Sequence, residues 1–318
     1  MLKPNDLVRV KSFEQIIQTL DDEGCLDGLP FMPEMIDYCG KIFRVSLKVE
    51  KTCVDNPTMY MAEFRNNDVY FLDDLRCNGD FHDGCQRGCR IFWKESWLEK
   101  VNEEMNESPP KYNLSDDIKI KLKVKKDAEI YFCQSTELRN ATKPLSSKEK
   151  ISKLFRDVKI GTYNYYEALK LLIFPLLRKL IKKIKDQHPR GKLTKTPVEV
   201  LNLRPGEIVE VRSFEEILQT LDIKGKNKGL SFEPDMKIFC GKQFKVRNRL
   251  DKMILERNGI MIEVQNSVIL DGVTCECFFA FGGCPRREFQ YWREIWLKRV
   301  PLNKEDTTTN KSESFAEV

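Results

Sequence analysis

The sequence predicts a mainly β, α+β protein built from two copies of one module joined by a basic middle region. Three observations carry this. A stretch near the start returns near the end; each copy holds short β-branched runs bounded by turn residues; and the segment between them alternates like a strand before turning to helical spacing. With 318 residues, 41% of them hydrophobic and 32% charged, two or three cores are expected and a wholly disordered chain is excluded. No run approaches the ~18 uncharged apolar residues that cross a bilayer as a helix. Met1 to Asp6 lacks the apolar core of a signal peptide, so the expected compartment is the cytoplasm.

The repeat is the firmest feature. Pro4 to Asp21 returns as Pro205 to Asp222, and Cys39-Gly40-Lys41 returns as Cys240-Gly241-Lys242, with roughly half the aligned residues identical. Farther on, Leu72-Asp73 matches Leu270-Asp271, Cys77 matches Cys275, Trp93 matches Trp292 and Trp97 matches Trp296. The expected divisions are a first module at 1–101, a middle region at 102–204, a second module at 205–300 and a disordered tail at 301–318, rich in Thr and Ser.

Each module opens on a strand, Leu7 to Val10 or Ile208 to Val211. Ser12 and Ser213 then start short helices, and Gln15 and Glu216, three residues on, complete capping boxes. Phe13, Ile16, Ile17 and Leu20 make the apolar stripe, and Gly24 stops the helix. Pro33 and Gly40 bracket a second helical turn carrying Met35, Ile36 and Cys39. Ile42 to Leu47 and Val69 to Leu72 read as strands. Trp93 and Trp97 close the core, and Gln290 to Val300 repeats that ending.

A strand opening on a Pro-Gly-Glu turn, several short strands and an aromatic finish resemble an SH3-like small barrel, closest to the KOW-type branch with its Gly-Asp/Glu turn before a Val-x-Val strand. The likeness covers the first dozen residues and the strand order. Asn5 replaces the glycine in the first copy, and the capped helix after strand one departs from the pattern. The tandem arrangement also resembles an uncharacterised bacterial family. What this implies is two homologous SH3-like small barrels, each with a short inserted helix, joined by a β-hairpin plus helical middle region; it implies no activity.

The 11 cysteines are odd in number, which argues for thiols or metal ligands over a disulfide framework. Cys77, Cys85 and Cys89 lie in one loop with Gly79, Gly84 and Gly88, which allow tight turns. Cys53, in the preceding strand region, offers a fourth thiolate across a hairpin; His82 is the alternative fourth ligand. Such a set suits tetrahedral zinc and equally an iron–sulfur cluster. Arg76, Arg87 and Arg90 are expected to lower the thiol pKa values. The second copy keeps Cys275, Cys277 and Cys284, while Ile254 stands at the place of Cys53 and Glu288 at that of Cys89. This second site reads as decayed, or as one with an open position. Cys39 and Cys240 read as core thiols.

Between Asn102 and Arg204 there are 23 basic and 13 acidic residues, a local charge of +10 within a net +5. Ile118, Ile120, Leu122 and Val124 alternate with Lys119, Lys121, Lys123 and Lys125, a strand with a lysine face, and Ala128 to Cys133 returns as its partner. Lys119, Lys121 and Lys123 suit a nucleic-acid backbone, or simply protect an edge. Residues 167–185 read as a basic amphipathic helix that Pro175 kinks or divides. It suits docking between the modules, a protein partner or peripheral contact with an anionic membrane.

His82 and His188 are the two histidines, and no phosphate-binding glycine motif is present. Glu95 and Glu294 recur between the tryptophans, where a buried ion pair or helix contact explains them as well as a general base would. The expected function is a non-enzymatic, zinc-type tandem-barrel binding or assembly protein. The alternatives are an iron–sulfur electron-transfer partner and a nucleic-acid-binding protein.

Overall fold

A computed structural model describes residues 1–56, 58–101, 122–182, 189–275 and 283–300. The protein is mainly β, with several antiparallel sheets and few helices. Its two compact units cut across the repeat. One holds Met1–Gln187, Leu250–Gln265 and Thr274–Phe289; the other holds His188–Arg249, Asn266–Val273 and Gln290–Val318. Lys119, Lys121, Cys277, His188 and the tail lie outside the described residues.

In the first unit, Leu7–Val10 pairs with Ile42–Lys48 on one side and Leu98–Lys100 on the other. Val69–Leu72 and Trp93–Lys94 extend the sheet to five strands. Val8 and Val10 point into the core while their neighbours do not, as strand alternation requires. Ser12 and Gln15 form the reciprocal cap that starts the helix Phe13–Ile17, whose Phe13 and Ile16 are buried. The Pro33–Tyr38 turn is a 3-10 helix. Trp93 and Trp97 are wholly buried, and the Trp97 indole donates to Thr19 Oγ1 at 3.1 Å.

The described part of the middle region from 122 to 182 belongs to this unit. Thr142–Pro144 adds a third strand to the hairpin Thr52–Asn56/Thr58–Phe64, and Leu122, Cys133, Leu138 and Ala141 enter the same core. Lys125 bridges Tyr131, so the described end of the lysine-faced segment does turn back on Ala128 to Cys133. The helices Ser147–Lys159 and Tyr165–Lys182 pack through Leu154, Ala168 and Leu171. The second runs through Pro175 undivided, one missing N–H being tolerable in a helix held elsewhere by packing. Its Tyr165, Leu169, Ile173 and Leu177 are exposed. Among the described residues, no helix is long and apolar enough to cross a membrane.

The second unit repeats the five-strand order, with Ile208–Val211 between Gln243–Arg249 and Leu297–Arg299, then Ser267–Thr274 and Phe289–Arg293. Its cap, Ser213 with Glu216, and its buried Trp292 and Trp296 match the first copy. Glu294 is fully buried and accepts the backbone N–H groups of Leu201, Asn202 and Leu203, with Arg249 at 3.0 Å. That makes it a structural anchor, since its oxygens are occupied by donors.

Within the first unit the two copies trade contacts. The second copy's hairpin, Lys252–Ile254/Met261–Glu263, lies against the first copy's cysteine loop: the Ile254 N–H donates to Cys85 Sγ at 3.3 Å, and Gln86 and Lys252 share backbone contacts. The first copy's hairpin lies against the second copy's loop in the same manner, the Cys53 N–H donating to Cys284 Sγ at 3.2 Å. The equivalent arginines follow: Arg286 donates to the Cys53 carbonyl at 2.9 Å and Arg87 to the Ile254 carbonyl at 3.5 Å. Both converge on buried Glu256, at 3.0 Å from Arg87 and 2.9 Å from Arg286.

Candidate metal centre

The loop between Arg76 and Arg90 is pinned at its base. Arg76 bridges Arg90, and the Cys77 N–H donates to the Cys89 carbonyl. Inside, the His82 and Gly84 N–H groups both donate to the Gly79 carbonyl. Gly79 has φ +76, and a Cβ there would sit 2.1 Å from the Cys85 carbonyl oxygen, so only glycine permits this coil.

The coil turns Cys77 and His82 toward Glu34 on the Pro33–Tyr38 turn. One ligand atom from each of the three lies within 4.8 Å of the others. His82 Nδ1 is 2.5 Å from Glu34 Oε1, and Cys77 Sγ is 3.9 Å from the same oxygen. His82 and Glu34 are almost completely buried. The other imidazole nitrogen, Nε2, is 3.1 Å from the Phe132 carbonyl. A carbonyl only accepts, so Nε2 carries a proton and Nδ1 is the atom that faces Glu34 and Cys77. This is the orientation in which metal-binding histidines are held, their distal N–H given to a backbone carbonyl. Glu34 Oε2 is buried and has no hydrogen-bond partner among the described residues, an arrangement that costs free energy unless something satisfies it.

Beside the triad is a cavity of about 30 Å³, lined also by Cys85, Cys89 and Cys133. That holds one ion or water, for which roughly 10–15 Å³ suffices, and is small for a four-iron cluster. The arginines do not lower the thiol pKa values as expected. Burial, then the Glu34 charge, pushes the Cys77 thiol up, and burial, then Glu288, does so for Cys89 against the pull of Arg87 and Arg286. Burial pushes Cys133 up to about 11. Burial would lower the His82 pKa, but its contacts with Glu34 and the Phe132 carbonyl overcome it and raise the value. Without a metal the Cys77, Cys89 and Cys133 thiols therefore stay protonated at neutral pH, and a divalent ion that binds through one of them must displace its proton.

Of the residues singled out from the sequence, Cys77 and His82 come together and Cys85 and Cys89 line the same cavity. Cys53 is elsewhere, packed with Cys284 and Met61. Cys275 gives its backbone N–H to Glu288. Glu34 and Cys133 were not among the candidates. A signal for Glu34 existed: both copies keep an acid after a proline, Pro33-Glu34-Met35 and Pro234-Asp235-Met236, and both acids are buried. In the second copy Asp235 instead accepts from Gln290 at 3.0 Å. Cys133 had no such signal, lying 44 residues beyond Cys89 in an unrelated segment.

Comparison with protein-family models, with curated proteins and with solved structures finds no match to this chain.

Proposed function

We propose that this chain is a non-enzymatic, zinc-type metal-binding protein, in which the ion ties the cysteine loop to the Pro33–Tyr38 turn within the first of two SH3-like small barrels. The observation that carries the reading is the Glu34–Cys77–His82 triad, its Glu34 and His82 buried and one Glu34 oxygen without a hydrogen-bond partner among the described residues. One thiolate, one imidazole and one carboxylate form a mixed S/N/O donor set that suits zinc, and the cysteines of the adjoining cavity supply the fourth ligand. The repeated five-strand order supports the paired barrels.

A binding or assembly role draws support from the exposed stripe Tyr165, Leu169, Ile173 and Leu177, which offers apolar surface to a protein partner or an anionic membrane. Nucleic-acid binding is less well served by the described lysines. Lys123 pairs with Glu23, Lys125 with Asp83 at 2.9 Å and Lys126 with Glu137 at 2.7 Å, so each would have to give up an internal partner.

Metal analysis of the purified chain tests the reading. One zinc per molecule, lost in both Cys77→Ser and His82→Ala, is expected. Free zinc at 100 times the dissociation constant should add about 2.7 kcal/mol, seen as roughly 5–10 °C in the melting of metal-depleted protein. A brown protein carrying iron would favour the electron-transfer alternative. Absence of any metal-dependent melting shift would end the proposal.

A further inference from the structure

A second group of sulfurs lies apart from the triad. Cys53, Met61 and Cys284 pack together as their own buried cluster, at 9%, 5% and 4% exposure, with no other member among the described residues. Cys53 and Met61 are direct cross-strand partners in the first hairpin, so their side chains leave the same face. Cys284 approaches from the second copy's loop, accepting the Cys53 N–H at 3.2 Å.

Ordinary core packing does not explain this choice of residues. At the pseudo-equivalent corner the Ile254 N–H donates to Cys85 Sγ, and the cross-strand partner of Ile254 is Met261, so one thiol faces a hydrocarbon there. Two thiols in contact therefore occur at only one of two corners built on the same plan. Beside them sits Arg286, with Nη1 3.8 Å from Cys53 Sγ and 2.9 Å from its carbonyl oxygen.

We propose that Cys53, Cys284 and Met61 form an all-sulfur site for a soft monovalent d10 cation, Cu(I) in particular. Thiolate and thioether donors select such ions over zinc, which prefers nitrogen or further thiolates, and over magnesium or calcium, which want oxygen. Binding exchanges two S–H protons for one cation, leaving a complex of charge −1. The Arg286 guanidinium, shared with Glu256 and Glu288, lies beside that charge and offsets part of the cost of its burial. No electron is transferred: copper enters and stays as Cu(I), held away from water by both copies. The site shares no ligand with the zinc-type triad and does not depend on it.

The test is Cu(I) titration of the full reduced chain under anaerobic conditions, against the chromophoric competitor bicinchoninate. It is run on wild type, Cys284→Ser, Met61→Leu and Cys77→Ser. The expected result is one fewer tightly bound Cu(I) in Cys284→Ser, the same site kept in Cys77→Ser, and an affinity lowered about tenfold in Met61→Leu, which preserves apolar volume and folding. Copper-edge X-ray absorption of the wild-type chain, with Cys77→Ser as control, should show sulfur neighbours alone at this site. Equal stoichiometry and affinity in Cys284→Ser and wild type would overturn the proposal. So would nitrogen or oxygen ligands at the site lost in that variant, or a Cys53–Cys284 disulfide persisting in the reduced chain.

Discussion

Replacing Glu256 by Gln should destabilise the first unit by an amount the structure sets. Glu256 is 6% exposed and accepts hydrogen bonds from Arg286 at 2.9 Å, Arg87 at 3.0 Å, Ser135 and the Asp55 N–H. Burial would raise its pKa, but the Arg286 and Arg87 charges more than reverse this and hold it at about 2, against an ordinary 4.5. At about 1.36 kcal/mol per pH unit, that fall is worth about 3 kcal/mol at neutral pH. The sign follows from the lowered value: the contribution is complete above the unfolded pKa of 4.5 and is lost as pH falls toward 2. Urea denaturation followed by tryptophan fluorescence reads it, because Trp93 and Trp97 are fully buried in this unit. The wild type should exceed Glu256→Gln by about 3 kcal/mol at pH 7, narrowing to about 1.5 kcal/mol at pH 3. A gap below about 1 kcal/mol at pH 7, or one that stays constant down to pH 3, would refute the reasoning.

Gly79→Ala should abolish metal retention, because the new methyl would collide with the Cys85 carbonyl and uncoil the loop that presents Cys77 and His82; zinc content after dialysis is the readout. Lys51→Met should cost about 3–5 kcal/mol in urea denaturation, since Lys51 and Asp157 are both completely buried and the change strands the carboxylate. Leu169→Asp with Ile173→Asp should move the melting temperature very little, each altering exposed surface and costing within about 0.5 kcal/mol, whereas Leu171→Asp should melt the helix pair.

Much of the fold was legible because it rests on local signals. Ser12 with Gln15 and Ser213 with Glu216 announce helix starts within four residues, and both capping boxes form. The alternation in Leu7 to Val10 and the tryptophan pairs mark the core from short-range pattern alone. The partner of Cys53 was not legible. A repeat identifies equivalent positions in two copies but leaves open which copy's hairpin meets which copy's loop, because closely similar contacts satisfy either pairing. The thiol pKa values defeated sequence reasoning for a related cause. Arg87 and Arg90 are neighbours in sequence, but the desolvation and carboxylates that outweigh them come from the fold.

The crossed hairpins bind the two halves of the gene into a common fate. A chain severed in the middle region would yield pieces that each lack the surface their loops rest on, so neither fragment should survive alone while the mixture reassembles. Drift is likewise constrained: a substitution in the hairpin at 252–263 is felt by a loop some 170 positions earlier. Descendants of this duplication must therefore be edited in pairs.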